Sequence, residues 1–183
     1  MSARTPARAV LALVGPRCSG KTSVGRALAG RSARPFVDQD AELLRFGIHS
    51  GWRVHSVGEL LTRAGQARFR DLEAAVLRRV LEPGLRVVLA TGGGVVERED
   101  NRAWLARAAF SVYLEVPEEL LRRRMAAQPG ERPALLGTDP VAEVGELLAR
   151  RAPLYRAVAD LVLDCGDAAP EELAGRLAAE LAL

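Results

Sequence analysis

Short apolar runs alternate with longer amphipathic stretches along the whole chain. The runs Ala9–Val14, Pro35–Val37, Leu85–Ala90, Ser111–Leu114 and Leu161–Asp164 read as strands. Most are continuously apolar, the pattern of parallel strands covered on both faces. Helices are expected over Lys21–Gly30, Asp40–Phe46, Val57–Ala64, Gln66–Leu81, Arg98–Arg107, Pro117–Met125, Pro140–Arg151 and Pro170–Leu181. Pro117, Pro140 and Pro170 each stand where a helix would begin, and a missing N–H costs little there. This alternation predicts an α/β fold with a parallel sheet. No repeat or low-complexity linker interrupts it. The stretch Arg45–Ser56 has two glycines and no period, so it reads as a loop.

The first apolar run leads into Gly15-Pro16-Arg17-Cys18-Ser19-Gly20-Lys21-Thr22 and then a helix. Strand, glycine-bounded loop and Lys-Thr at a helix start is the context of a phosphate-binding loop. Its backbone N–H groups, with those of the first helical turn, converge on phosphate oxygens, and the helix dipole adds positive charge. Lys21 would reach the β- and γ-phosphates, and the Thr22 hydroxyl would ligate Mg²⁺, which takes hard oxygen ligands. Many such loops carry Gly where Cys18 stands.

Composition narrows the picture further. The 183 residues carry 26 basic and 23 acidic side chains, a net charge of +3, with arginine spread along the chain. That distribution fits a small anionic substrate better than a nucleic-acid track, and 4% aromatic residues offer little surface for stacking bases. Cys18 and Cys165 do not make a disulfide framework, which points to a reducing compartment. The run behind Met1–Arg8 is too short for a signal-peptide core, and no stretch is long enough to span a membrane. A cytoplasmic protein with no membrane or nucleic-acid partner is expected.

Further candidates follow in chain order. Asp38-Gln39-Asp40 ends the second strand and presents two carboxylates at the sheet's carboxyl edge, where α/β proteins bind ligands. One would support Mg²⁺ through water and the other would orient an attacking hydroxyl. The plainer alternative is a helix cap at Asp40. His49 and His55 lack companion ligands and read as solvated. Arg70 and Glu73 are three apart and can pair on one helix face, either as a clamp for a substrate carboxylate or as a surface ion pair. Gly92-Gly93-Gly94 at a strand end would let backbone approach a ligand, or simply turn. The segment Gln128–Gly137 carries Arg132 between Pro and Gly residues, as a mobile lid or a solvated loop.

With these residues in view the chain resembles the shikimate kinases. The motifs stand in the family's order. The loop runs into Gly25-Arg26-Ala27-Leu28-Ala29, followed by Asp38-Gln39-Asp40, Phe69-Arg70-Asp71-Leu72-Glu73, Gly92-Gly93-Gly94, Arg132-Pro133 and Arg151-Ala152-Pro153-Leu154-Tyr155. The resemblance implies a P-loop kinase fold, a five-stranded parallel sheet flanked by helices, with an inserted substrate-binding region over about 39–75 and a lid over about 126–138. It also implies ATP-dependent phosphorylation of the shikimate 3-hydroxyl by a monomer. Cys18, Ser19, Gly20, Lys21, Thr22 and Ser23 would hold ATP, and Thr22 and Asp38 would hold Mg²⁺. Asp40 would deprotonate the hydroxyl. Arg70 and Arg151 would clamp the substrate carboxylate, Glu73 positioning Arg70, with Gly92, Gly93 and Gly94 beside them and Gly93 donating from its backbone. Arg132 would close over the phosphates and Arg124 would lie near adenine. Three features depart from the family's usual pattern: Gln39 in place of Thr, a longer stretch between Asp40 and Ser56, and Leu61 and Gln66 in place of an aromatic residue and Glu. The rival readings are a kinase for another polyol acid such as gluconate, or a nucleotide-binding module without transfer activity.

Overall fold

The computed structural model describes residues 10–82, 85–127, 135 and 139–183. Five strands, β1 (Val10–Val14), β2 (Phe36–Asp38), β3 (Val88–Ala90), β4 (Ala109–Glu115) and β5 (Leu161–Asp164), form one parallel sheet in the order β2-β3-β1-β4-β5. β1 sits centrally, with Leu11 beside Val88 on one side and Phe110 on the other. Every residue of β1 is buried, as its apolar run requires. The chain leaves β1 between neighbours that lie on opposite sides of it, and that reversal opens a crevice at the strand's carboxyl end.

Alternating residues of β1 serve two layers. Leu11 and Leu13 pack on helices α1 (Lys21–Ser32) and α8 (Pro170–Glu180) through Val24, Leu28 and Leu177. Ala12 and Val14 face the opposite layer, where helices α4 (Gln66–Val80), α5 (Glu99–Ala108) and α7 (Val144–Val158) contribute Leu77, Leu105 and Tyr155. A third, separate cluster joins α2 (Gln39–His49), α3 (Val57–Ala64) and α4 through Leu43, Leu60, Phe69 and Leu72. Helix α6 (Glu118–Ala126) completes the set, and no described helix is long and apolar enough to cross a membrane.

Three sequence expectations are corrected. The stretch from Arg45 is helical as far as His49, because Leu43 and Phe46 carry the apolar face of α2 into the third cluster and Ser50 closes its end. Pro140 does not open a helix: residues 140–143 form a turn, Asp139 Oδ1 accepts from the Val141 N–H at 2.8 Å, and α7 begins at Val144. Nor does α7 stop at Arg151. It runs past Pro153, which forfeits one backbone bond, and buried Tyr155 and Val158 hold the extra turn.

Candidate active site

The loop after β1 brings Gly15–Gly20 over the start of α1. Gly20 caps that helix in the left-handed conformation (φ 89°) and no side chain caps it, so the first-turn N–H groups face the cavity. Cys18 also has a positive φ, 61°, which costs a non-glycine residue about 1 kcal/mol. That is the physical reason glycine suits this place. Lys21, buried, folds back and donates from Nζ to the Pro16 carbonyl at 2.6 Å and to Ser19 Oγ at 3.3 Å. A cavity of about 720 Å³ lies above this loop, walled by Ser19, Lys21, Thr22, Asp38, Arg124 and Pro170 among others. Arg124 donates to the Cys18 carbonyl at 3.4 Å and pairs with Asp167, so it borders the loop from the far side.

Asp38 and Asp40 have different surroundings. Asp38, not Asp40, caps α2: its Oδ1 accepts from the N–H groups of Asp40 at 3.0 Å and Ala41 at 3.2 Å. Its other oxygen accepts from the Thr22 hydroxyl at 2.8 Å. Two hard oxygens thus meet at the cavity floor, a donor set that suits Mg²⁺ with phosphates completing its shell. Asp40 sits in the first turn of α2 and lines both this cavity and a narrow cleft beyond it. Arg17 also borders both, and the sequence signal for it was only its place inside the phosphate loop.

The cleft is walled by Gly92, Gly93, Gly94, Arg70, Glu73 and Arg151, together with Leu61 and others. Gln39, fully buried, fastens the segments around it. Its Nε2 donates to the Glu73 carbonyl at 3.1 Å and its Oε1 accepts the Gly92 N–H at 3.0 Å. The Gly92 N–H is therefore committed within the protein. The Gly93 carbonyl accepts from the Tyr155 hydroxyl. Burial raises the Tyr155 phenol far above its usual range and keeps it a donor. At Gly94 a Cβ would stand 2.3 Å from both terminal nitrogens of Arg70, so only glycine leaves room for that guanidinium.

Arg70 donates to Glu73 at 2.8 Å and to Glu97 at 2.8 Å. Arg151, only 3% exposed, donates to the other oxygen of Glu97 from Nε at 3.0 Å and Nη2 at 2.9 Å. Burial pushes the Glu73 carboxyl up, against the pull of Arg70. Burial also pushes Glu97 up, but Arg151 and Arg70 outweigh it and hold that carboxyl below the usual glutamate range. Sequence reasoning missed Glu97, which looked like one more acid ahead of a helix. The structure brings together Cys18–Ser23, Asp38, Asp40, Arg70, Glu73, Gly92–Gly94, Arg124 and Arg151 along one crevice. Arg132 and most of the lid lie outside the described residues. Leu135 from that segment is described; it borders the cleft and its N–H donates to Glu143 at 2.7 Å.

A phosphate loop at the reversal point of a parallel sheet, opening on a second cleft with paired arginines, defines a P-loop kinase acting on a small anion. A family model described as shikimate kinase matches residues 17–182. "Shikimate kinase 2" of Syntrophotalea carbinolica is 41% identical over 161 residues, covering 87% of this chain and 88% of the relative. "Shikimate kinase" of Nitratidesulfovibrio vulgaris is 42% identical over 158 residues, covering 85% and 86%. Among solved structures, the shikimate kinase from Acinetobacter baumannii in complex with shikimate superposes with a TM-score of 0.82 at 34% identity, covering 92% of this chain and 89% of that one. The chain belongs to the shikimate kinase family.

Proposed function

We propose that the chain transfers the γ-phosphoryl group of ATP to the 3-hydroxyl of shikimate. The observation that carries this reading is the place of Asp40, on the wall shared by the nucleotide cavity and the arginine-lined cleft. A hydroxyl held in the cleft there meets a carboxylate on one side and phosphate on the other. Phosphoryl transfer asks a protein mainly for such positioning and for charge stabilisation.

Each residue then has a role. Lys21 leaves the Pro16 carbonyl for phosphate oxygens, and the first-turn N–H groups of α1 hold the same anion. Thr22 and Asp38 would hold Mg²⁺, which would supply charge neutralisation for the transferring group. Asp40 accepts the hydroxyl proton. Arg70 and Arg151 grip the substrate carboxylate, Glu73 orients Arg70, and Arg124 borders the adenine end. Arg132 is assigned to the lid over the phosphates. Residues 39–75 form the acceptor-binding region and about 126–138 the lid, within one kinase domain. A monomer, which the resemblance implies, belongs to the same reading. Two cysteines outside any disulfide, Cys18 and Cys165, fit a cytoplasmic protein.

ADP release coupled to an indicator reaction, with ATP, Mg²⁺ and shikimate beside gluconate and no-acceptor controls, tests the reading. Shikimate-dependent turnover is expected, with Asp40→Asn lowering kcat by about 10²–10⁴-fold, the usual worth of a positioned general base. Retained ATP binding without shikimate-dependent turnover would overturn it.

A further inference from the structure

We propose that Glu97 is a positioning residue for the acceptor, tying Arg70 and Arg151 together from behind the cleft and setting the distance between their guanidinium groups. The inference rests on the clamp role given above to those two arginines. Its basis is where the three side chains sit. Arg70 and Arg151 both line the cleft, and Glu97 does not. Yet the two Glu97 oxygens divide between them, Oε2 to Arg70 at 2.8 Å and Oε1 to Arg151 at 2.9 Å. A carboxylate standing in the cleft would compete with a substrate carboxylate for these donors. One standing behind the wall instead consumes the rear donors and turns the rest of each planar fork forward.

The backbone under Glu97 is anchored more firmly than an exposed turn requires. It ends the 3-10 turn Val95–Glu97, whose Glu97 N–H bonds the Gly94 carbonyl at 3.0 Å. Val95 and Val96 are fully buried. Asn101 Nδ2 donates to the Val95 carbonyl at 3.0 Å, and Arg102 donates to the Val96 carbonyl at 2.8 Å. The glycine triplet and the tether are thus joined by a backbone hydrogen bond. Helix α7 meets that segment twice, one turn apart: Arg151 on the Glu97 side chain and Tyr155 on the Gly93 carbonyl. Arg150, which is exposed, donates to the same Glu97 oxygen from outside. Three guanidinium groups face two carboxylates, Glu73 and Glu97, in this cluster.

Steady-state kinetics on the full chain tests this, with shikimate varied at saturating Mg·ATP and then the reverse. Glu97→Ala is expected to raise the shikimate KM about tenfold, the worth of one charge-assisted hydrogen bond. The kcat and the ATP KM should stay within about threefold, the split expected when only acceptor binding is lost. Glu97→Gln keeps the length and one acceptor oxygen, so it should recover part of the affinity, and it carries the test if the alanine variant does not fold. An unchanged shikimate KM in either folded variant would overturn the proposal. A lowered KM would do so as well, since it would make Glu97 a competitor for the arginines. So would kcat and both KM values worsening together, which would mark a merely structural residue. Arg70→Ala and Arg151→Ala run alongside. If neither raises the shikimate KM, the clamp reading itself has failed; if both do and Glu97 variants do not, only the tether has.

Discussion

The phosphate loop and the arginine cluster share a wall through Arg17 and Asp40, yet they are held by different forces. The loop is made from one contiguous stretch, Gly15–Thr22, and its donors are mostly backbone N–H groups at the start of α1. Its geometry follows from φ/ψ values and a helix terminus. The cluster is made from side chains on α4, on the turn after β3 and on α7, with Arg151 and Glu97 separated by 54 positions in the chain. Its geometry follows from ion pairs closed across the fold. A loop of the first kind tolerates side-chain change where backbone can still adopt its shape, as at Cys18. A cluster of the second kind depends on every partner and on the space left for it.

The largest break in that comparison is expected at Gly94→Ala. The new methyl group would fall 2.3 Å from the Arg70 guanidinium nitrogens, well inside contact distance, with the glycine backbone fixed by its bond to Glu97. Arg70 must move, and both its carboxylate partners lose their geometry. The shikimate KM should rise by about 10–100-fold, since misplacement of about 1 Å near a reacting centre has effects of that order. The nucleotide side should be spared, with the ATP dissociation constant within about threefold by calorimetry. Equal loss of ATP and shikimate affinity would show that the two sites are not separable.

The same contrast explains what could be read from the chain. The phosphate loop, all five strands and the pairing of Arg70 with Glu73 at one helical turn are local patterns, and local patterns are visible in sequence. Arg151 entered only through resemblance, because nothing around it announces a partner so far upstream. Glu97 was invisible for the converse reason. It precedes Glu99 and Asp100, and acids before a helix are ordinary dipole partners. Gln39, which entered only as a departure from the family's usual Thr, is the buried amide that joins Glu73 to Gly92. The glycines after Phe46 suggested a loop, and the later helix was expected to end at Arg151. In both places tertiary packing overrode local propensity, through Leu43 in the first and Tyr155 in the second.

A second, smaller effect concerns acid. Glu97 has a folded-state pKa below the ordinary glutamate value, chiefly because two arginines outweigh its burial. A depressed carboxyl contributes stability that is present above the unfolded-state pKa and lost as pH falls through the folded one. Glu97→Gln should therefore lower Tm at pH 7 by a few degrees, at about 2–4 °C per kcal/mol for a chain of this size. The gap from wild type should close as pH falls below about 4, where glutamate outside the fold begins to protonate. A gap that stays constant down to pH 3 would mean the tether does not act through its charge.

The smallest effect separates the two sides with the chain's own thiols. Cys18 borders the nucleotide cavity, while Cys165 is 2% exposed. Burial, with Asp164 nearby, pushes the Cys165 thiol up to about 11. At pH 8 about one Cys165 in a thousand would be thiolate, the form that reacts. Iodoacetamide should therefore label Cys18 first, read by mass spectrometry of the peptides, with Cys165 unlabelled until the protein unfolds. Mg·ATP should slow labelling of Cys18 severalfold because phosphate occupies the loop around it. Shikimate alone should leave that rate unchanged, since its clamp lies on the other side of Asp40. Protection by shikimate alone would mean that filling the cleft also closes the loop, and the two regions would then have to be treated as one mechanical unit.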